Sequence, residues 1–174
     1  MLGRVMSIRH RLARRIGRAR SFALPRHPIQ QETAMRFMII VKSNPEFEAQ
    51  ASTGFQPEPT VFAEMAAYHE ELARAGVLLE GNGLKPSHTG WRVRYDGQRR
   101  TVIDGPFTES RELIAGYTLI QVQSREEALE WARRFPNPVG QGQPAEIEVR
   151  QLFELDDFAP SGEVERFRAL DAAK

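Results

Sequence analysis

The sequence GYTLIQVQSREEALEWARRFP, residues 116–136, carries the clearest structural pattern of the chain. Its first eight residues, Gly116–Gln123, predict a strand. The side chains expected to face the core are Tyr117, Leu119 or Ile120, and Val122. Ser124 followed by Glu127 is a capping box, the usual start of a helix. The apolar side of that helix is formed by Ala128, Leu129, Trp131 and Ala132. The stretch therefore predicts a strand that leads directly into a helix.

A second strand and helix precede this unit. Arg36–Lys42 (RFMIIVK) is nearly all apolar, which is typical of a strand buried on both faces. Ser43–Pro59 is rich in Pro, Ser and Gln and predicts a loop. Apolar residues at helical spacing predict a helix over Thr60–Ala75. Val77–Leu79 predicts a short strand, and the Gly-Asn-Gly sequence at 81–83 predicts a turn after it.

The remaining elements are a hairpin, a final strand and a short helix. Trp91–Tyr95 alternates apolar residues with arginine, the pattern of a half-buried strand, and the Asp-Gly pair at 96–97 predicts a hairpin turn into Arg100–Ile103. Glu146–Glu154 alternates as a last strand. Ser161–Lys174 has the spacing of a short amphipathic helix.

The predicted order is β–α–β–hairpin–β–α–β, which indicates an α+β fold of the ferredoxin-like kind. Two main helices would cover one face of a mostly antiparallel sheet. The other face of such a sheet is apolar and needs a cover. A second copy of the chain is the simplest cover, so we expect a homodimer.

Composition excludes several classes of protein. The chain has 174 residues, of which 41% are hydrophobic and 27% charged, enough for a sizeable core. It contains no cysteine, which removes disulfide scaffolds, thiol catalysis and iron–sulfur clusters. No stretch is long and apolar enough to span a membrane. We predict neither a cofactor nor a metal, and a cytoplasmic location.

Charge divides the chain into an N-terminal extension and a globular part. Of the 24 basic and 23 acidic residues, residues 1–34 hold eight arginines and one acid, which leaves 16 basic and 22 acidic residues beyond them. The resulting net charge of −6 argues against direct nucleic-acid binding by the globular domain. We predict an extension at 1–34, a domain at 35–158 and a C-terminal tail at 159–174.

Three interpretations of residues 1–34 remain open. The segment is rich in arginine and poor in acids, as organelle transit peptides are. Some of its apolar residues have helical spacing, as in a helix that lies on a membrane surface. Alternatively, it is a disordered extension and Met35 is the true start, because Gln31 and Glu32 can be encoded by CAG-GAG, a ribosome-binding sequence just upstream.

Three segments resemble a known family. They are DGPFTESRE at 104–112 with LIAGY after it, AGVLLEGNGLKP at 75–86, and SREEALEWARRFP at 124–136. Together they resemble the DGPF branch of the YCII-related (YciI-like) proteins over about residues 35–158. The resemblance implies a ferredoxin-like dimeric α+β barrel. Most proteins of this branch have no characterised activity, and some are similar to proteins encoded beside, or fused to, extracytoplasmic-function sigma factors.

The resemblance also bears on chemistry. Other YCII-related proteins look like small enzymes that use a His–Asp pair, including one that removes chloride from a hydroxylated aromatic. The family histidine of the first helix falls on Met65, which cannot transfer protons. His69, one turn later, is a displaced substitute at best.

Asp104, Glu109 and His69 are the candidate catalytic residues. Asp104 either caps its own turn or acts as a base or ligand anchor at a cleft. Glu109, with Glu112 three residues on, forms either a solvated first turn or an acid/base pair. His69 is either a partly buried structural residue or a proton-transfer group. For Arg92 the alternatives are a carboxylate or phosphate grip and an ordinary ion pair.

Two functions follow from these residues. The first is a homodimer that binds a small polar or aromatic ligand in a cleft between the first helix and the DGPF turn, with proton-transfer catalysis. The second is a non-catalytic regulatory or interaction module with a transcription-factor partner of the sigma-factor type. The substitution at Met65 favours the second.

Overall fold

The computed structural model describes residues 34–50, 58–107 and 112–173 of the chain. Residues 1–33 of the predicted extension at 1–34, for which three interpretations were given, lie outside the described residues. Strands and helices alternate through the rest. They are β1 Met35–Lys42, α1 Pro45–Gln50, α2 Pro59–Arg74, β2 Leu78–Gly83, β3 Trp91–Asp96, β4 Arg99–Asp104, β5 Ile114–Val122, α3 Arg125–Arg133, β6 Ile147–Gln151 and α4 Gly162–Asp171. Short 3₁₀ turns lie at Ser87–Thr89 and Leu155–Asp157.

Four strands form one antiparallel sheet in the order β2-β5-β1-β6. Because β2 and β1 both run antiparallel to β5, they are parallel to each other, and the same holds for β5 and β6 across β1. Thus α2 links two parallel strands with a third between them, and α3 does the same. The predicted α+β class with a mostly antiparallel sheet is confirmed.

The core lies between one face of this sheet and the helices. Ile39 faces Thr118 across the strand pair and Phe37 faces Ile120, so these side chains share a face. All four are buried there, together with Leu72 of α2. On β5 the inward residues are therefore Thr118, Ile120 and Val122. The expectation is confirmed for Val122 and for Ile120, the alternative to Leu119, and was wrong for Tyr117. Strand alternation requires this outcome once Ile120 is inside.

The two main helices begin and end near their predicted positions. The Ser124 hydroxyl accepts a hydrogen bond from the Glu127 N–H at 3.1 Å, as a capping serine does. The Glu127 carboxylate accepts one from the Gln123 N–H at 2.8 Å, one residue earlier than in a standard capping box. After α2, Gly76 has φ +72°, a conformation that favours glycine.

The segment predicted as a loop at Ser43–Pro59 contains helix α1, so that prediction was wrong. Asn44 supplies the start signal, because its side-chain Oδ1 accepts a hydrogen bond from the Phe47 N–H at 2.7 Å. Pro45 fits the first helical position and Glu46 favours the first turn. The Ser and Pro residues that indicated a loop lie here at the N-terminus of a helix.

The predicted turn at 81–83 is part of strand β2 instead. These residues pair with Gly116, Tyr117 and Thr118 of β5. A Cβ at Gly116 would lie 2.8 Å from the carbonyl oxygen of Asn82, so glycine permits the close approach of the two strands. The glycines therefore mark backbone contact rather than chain reversal.

The β3–β4 hairpin was predicted correctly as a hairpin and wrongly as half-buried. Gly97 has φ +56° at the turn, and Trp91 pairs with Asp104 at the base. The two strands form a sheet of their own, and the Trp91 and Tyr95 side chains are 67% and 66% exposed. Within the described ranges, no helix of the chain is both long and apolar enough to cross a membrane.

Candidate functional site

A cavity of about 380 Å³ lies between the first half of α2 and the adjoining ends of β1, β2 and β5. Helix α1 and the loop after α3 complete its wall. Most of the wall is apolar. Its lining residues are Val41, Lys42, Ser43, Asn44, Phe47, Val61, Phe62, Met65, Ala66, His69, Gly81, Asn82, Gly83, Ala115, Gly116, Tyr117, Thr118, Phe135, Pro138 and Val139. A volume of this size fits the range of small-molecule sites.

His69 is fixed on the cavity wall through both ring nitrogens. Nδ1 lies 2.9 Å from the carbonyl oxygen of Met65, one turn earlier in α2. A carbonyl only accepts hydrogen bonds, so Nδ1 carries the proton and donates it. In the neutral ring Nε2 is then the acceptor, and it lies 2.9 Å from the hydroxyl oxygen of buried Thr118. The basic nitrogen of His69 thus points toward the sheet and the cavity.

Gly81 provides the space that the His69 ring occupies. A Cβ at position 81 would lie 2.6 Å from His69 Nε2, closer than real side-chain contacts permit. Any larger residue would push the imidazole away from Thr118. The absence of a side chain at Gly81 on β2 therefore allows His69 on α2 to pack against that strand.

Polar groups gather at one end of the cavity, where β1 ends. Lys42, Ser43 and Asn44 line the cavity there. The Lys42 ammonium lies 3.5 Å from the Glu148 carboxylate, a long ion pair. A second, shallower groove of about 490 Å³ shares the same three residues and continues along Pro144–Glu146. The cavity thus combines an apolar body with polar residues at its end.

A hydrogen-bonded cluster of β2 and β5 side chains lies behind the cavity, on the sheet face opposite the helices. The Tyr117 hydroxyl donates to the Glu80 carboxylate at 2.8 Å. The Asn82 side-chain amide donates to the same carboxylate oxygen at 2.7 Å. Through this one carboxylate of β2, the contacts join β2 to β5 next to the backbone that lines the cavity.

The loop after α3 covers the cavity next to α2. The Asn137 side chain accepts a hydrogen bond from the Val139 N–H at 3.0 Å and donates to the Gln143 carbonyl at 2.8 Å. The Gln141 amide donates to the Glu64 carboxylate of α2 at 2.9 Å. Pro138 and Val139 are thereby held against the cavity.

The three candidate catalytic residues are not all at this cavity. His69 lines it. Asp104 is exposed at the end of β4, opposite Trp91, and among the described residues it is not part of the lining. Glu109 lies outside the described residues. Glu112 is exposed. In the described ranges no group of three or more His, Asp or Glu side chains is placed to hold a metal ion.

The DGPF turn packs closely against the 3₁₀ turn at Ser87–Thr89. The Gly105 N–H donates to the Gly90 carbonyl at 2.9 Å, and the Phe107 N–H donates to the Ser87 hydroxyl at 3.2 Å. A Cβ at Gly105 would overlap the Ser87 carbonyl. The Arg92 guanidinium lies 4.0 Å from the centre of the Phe107 ring. These contacts give the glycine and the phenylalanine of the motif a packing role.

Glu48 of α1 joins this turn to the cavity, and sequence reasoning missed it. Its carboxylate accepts hydrogen bonds from the Ser87 N–H at 3.0 Å, the Ser87 hydroxyl at 2.6 Å and the Ser43 hydroxyl at 3.0 Å. Burial opposes ionisation of Glu48, but these hydrogen bonds outweigh it and lower the pKa of the carboxyl group. The Asn44 cap was the available signal, since it would have revealed the helix that carries Glu48.

Two comparisons with known proteins bear on this chain. The model of the YCII-related domain matches residues 35–163. An uncharacterised protein of Rhizobium meliloti (strain 1021) is 30% identical over 82 residues. The match covers 47% of this chain and 66% of that protein, a little under two thirds of its length. The matched residues of the domain model include α2, the DGPF turn and the whole cavity.

Proposed function

Because the chain belongs to the YCII-related domain family, we propose that it binds a small molecule in the α2–sheet cavity and that His69 exchanges a proton with that molecule. The observation that carries the proposal is the fixed tautomer of His69. Its Nδ1 proton is held by the Met65 carbonyl, which makes Nε2 the basic atom. The site therefore differs from the expected cleft beside the DGPF turn.

Proton transfer at this site follows from the partners of His69. Histidine is the side chain suited to proton exchange near neutral pH. A ligand hydroxyl or acid that displaces the Thr118 hydroxyl from Nε2 can give its proton to that nitrogen. The imidazolium that forms keeps its hydrogen bond to the Met65 carbonyl, which stabilises the positive charge. His69 takes the role that Met65, at the family histidine position, cannot take.

The lining of the cavity defines the class of ligand. Phe47, Phe62 and Val139 offer apolar contact surface, and the cavity fits a small aromatic or branched molecule. His69 Nε2, the basic atom on the wall, suits a carboxyl or phenol group of the ligand. We therefore propose a small, mainly apolar ligand with one acidic group.

A ligand screen by thermal shift tests the proposal. Small carboxylic acids and phenols are added to the full chain and to His69→Gln, with His88→Gln as the matched control, because His88 is exposed and outside the cavity. A ligand at 100 times its dissociation constant stabilises a protein by about 2.7 kcal/mol, or roughly 5–10 °C here. We expect a shift for the wild type and for His88→Gln and a much smaller one for His69→Gln. Equal shifts in all three would contradict the role of His69.

Nitrogen NMR of the histidines gives an independent check. We expect the neutral His69 ring to show a protonated Nδ1 and an unprotonated Nε2, and ligand binding to protonate Nε2. An Nε2–H tautomer in the free protein would contradict the proton-transfer step, since the basic nitrogen would then face the helix backbone.

The second candidate is a non-catalytic module that senses a ligand or binds a partner. The observation that favours it is the shortage of acid/base groups. Among the described residues that line the cavity there is no carboxylate, and His69 is the one histidine. Saturable ligand binding without conversion of the ligand, followed by chromatography of the recovered compound, would support this candidate. A sigma-factor-type partner belongs to it and would be sought by co-purification.

The ferredoxin-like sheet further supports a homodimer with a barrel between the two copies. Met38 and Leu119 are paired, and so are Ile40 and Tyr117, on the face opposite the helices. This face is apolar at its centre, and a second sheet of the same kind would cover it. Light scattering of the full chain at micromolar concentration tests this. A monomer mass would contradict the dimer and leave the ligand proposal standing.

A further inference from the structure

The β3–β4 hairpin exposes apolar side chains that nothing covers in the described structure. Trp91 and Tyr95 lie on the same face of β3, and Val93 between them pairs with Val102 of β4. The Trp91, Tyr95 and Val102 side chains are 67%, 66% and 64% exposed. The two strands pair with each other, and neither joins the main sheet. Such a patch on a projecting element is typical of a protein interface.

Arginines surround this patch. Residues 91–104 contain four arginines against two aspartates, and all are exposed. Trp, Tyr and Arg are the residues that contribute most binding energy at protein interfaces. The hairpin is thus an apolar arm with a positive rim, and its partner must offer apolar groups with a negative rim.

Residues 152–171, here called the C-terminal surface, have that chemistry. The Phe153 and Phe158 rings pack together at 5.4 Å, yet they remain 75% and 49% exposed. Phe167 and Leu170 of α4 are 59% and 62% exposed. The same residues contain six acids against two arginines. The C-terminal surface therefore complements the hairpin in both charge and polarity.

The two surfaces lie at opposite ends of the main sheet. The chain that carries the hairpin leaves and rejoins the sheet at the end of β1, where the Ser43 N–H donates to the Leu113 carbonyl. The C-terminal surface begins at the start of β1, where the Leu152 N–H donates to the Arg36 carbonyl and Arg36 pairs with Glu154 at 2.9 Å. Within one chain, the length of the sheet separates them.

We infer that the hairpin is a dimerisation arm that packs on the C-terminal surface of a second copy of this chain. A two-fold axis perpendicular to the strands reverses the strand direction in the second copy. Each hairpin then lies at the end of the partner's sheet that carries the C-terminal surface. The two contacts are then equivalent, as closed two-fold symmetry requires. The inference rests on the proposed homodimer and specifies which surfaces hold it together.

Cross-linking of the full chain tests the arrangement, and the absence of native cysteine makes the labelling clean. Tyr95→Cys and Phe158→Cys are purified separately, mixed to allow subunit exchange, and treated with a short bis-maleimide. We expect cross-linked dimers that contain one copy of each variant, identified by mass spectrometry of the linked peptides. A mixture of Tyr95→Cys with Arg133→Cys is the control, because Arg133 is exposed on α3. Equal cross-linking in both mixtures would overturn the inference.

Charge reversal provides the second readout. We expect the double variant Arg94→Glu/Arg99→Glu to raise the dimer dissociation constant at least tenfold, measured by sedimentation, with an unchanged circular dichroism spectrum. If wild type is a dimer but the double variant has the same dissociation constant and the hairpin does not cross-link, the inference fails and the homodimer stands. If the double variant loses only affinity for a single-stranded oligonucleotide, the hairpin is a nucleic-acid arm and the inference is wrong.

Discussion

The Tyr68 hydroxyl is the clearest case of a single polar group held inside the core. The side chain is 5% exposed and its hydroxyl donates a hydrogen bond to the Trp131 carbonyl at 2.9 Å. The ring meets Trp131 and Phe135 edge to face. Burial raises the pKa of Tyr68 to about 12, and the positive charge of Arg134 opposes that rise. This one hydroxyl therefore ties α2 to the end of α3.

We expect Tyr68→Phe to lower the free energy of unfolding at pH 7 by about 1 kcal/mol, the usual net value of one hydrogen bond. The unfolded tyrosine loses its proton near pH 10 and the folded one near pH 12, so wild-type stability falls as the pH rises between these values. Tyr68→Phe lacks this loss. Denaturant unfolding at pH 7 and pH 11 measures both effects, and a difference between the proteins that is constant with pH would contradict the assignment.

Gly81 tests how closely the backbone fits the His69 ring. We expect Gly81→Ala to displace the imidazole from Thr118, because the new Cβ would lie 2.6 Å from Nε2. The displaced ring should change its nitrogen NMR shifts and lose ligand-induced stabilisation. Gly83→Ala is the matched control on the same strand, since nothing lies within 4 Å of a Cβ built there. An unchanged His69 spectrum in Gly81→Ala would show that the fit is looser than described.

At the scale of elements, α1 depends on one carboxylate. Glu48 accepts three hydrogen bonds from Ser87 and Ser43, and Ser87 in turn holds the DGPF turn. Thus α1, the 3₁₀ turn and the DGPF turn form one connected unit beside the cavity. Loss of the carboxylate should loosen the segment that carries Ser43 and Phe47 of the cavity wall.

We expect Glu48→Gln to lower the free energy of unfolding by about 1–3 kcal/mol at pH 7, because the new NH₂ group cannot accept from Ser87. The lowered pKa of Glu48 stabilises the fold above the ordinary glutamate pKa of 4.5, and this contribution is lost as the pH falls through the lower folded value. Glu48→Gln should therefore lose less stability on acidification than wild type does. Thermal melts at pH 7 and pH 3.5 measure this, and Glu46→Gln on the same helix is the control.

Which elements could be predicted depended on the range of the interactions that stabilise them. Helix α3 was predictable because its cap and apolar face are local in sequence. Strand β2 was misassigned beyond Leu79 because its glycines are explained by contacts with residues distant in sequence. Gly81 leaves space for His69, and Gly83 pairs with Gly116 of β5. The hairpin was predicted from its turn sequence. The burial of its side chains depends on whether another element packs against it, and the alternation of apolar and polar residues does not show that.

The candidate site shows the same division. His69 was found as the histidine on a regular helix, since residue type and helical pattern are both visible in the sequence. Its partner Thr118 is 49 residues away, and only the register of β5 against β1 and β2 turns that hydroxyl toward the ring. Asp104 was proposed from its motif, whereas the position of the cavity was set by packing between α2 and the sheet.

For the whole molecule, the question is where the stable unit begins. The first residue of β1, Met35, already pairs with Val122 of β5, and its side chain packs against the core. The family match starts at the same residue. The interactions that define the start of the sheet therefore lie within residues 35–173.

We expect a chain of residues 35–174 to melt within about 2 °C of the full chain, which corresponds to less than about 1 kcal/mol of stability. Residues 1–34 carry eight arginines and one acid, so the shortened chain should also elute later, at higher salt, from an anion exchanger.

Residues 35–174 have a net charge of −6, against +1 for the full chain, so the shortened chain binds an anion exchanger more strongly. Melting temperature and elution salt are measured on both chains in the same buffer. A fall of more than about 4 °C, or over about 1 kcal/mol, would show that residues 1–34 stabilise the domain and would contradict a boundary at Met35.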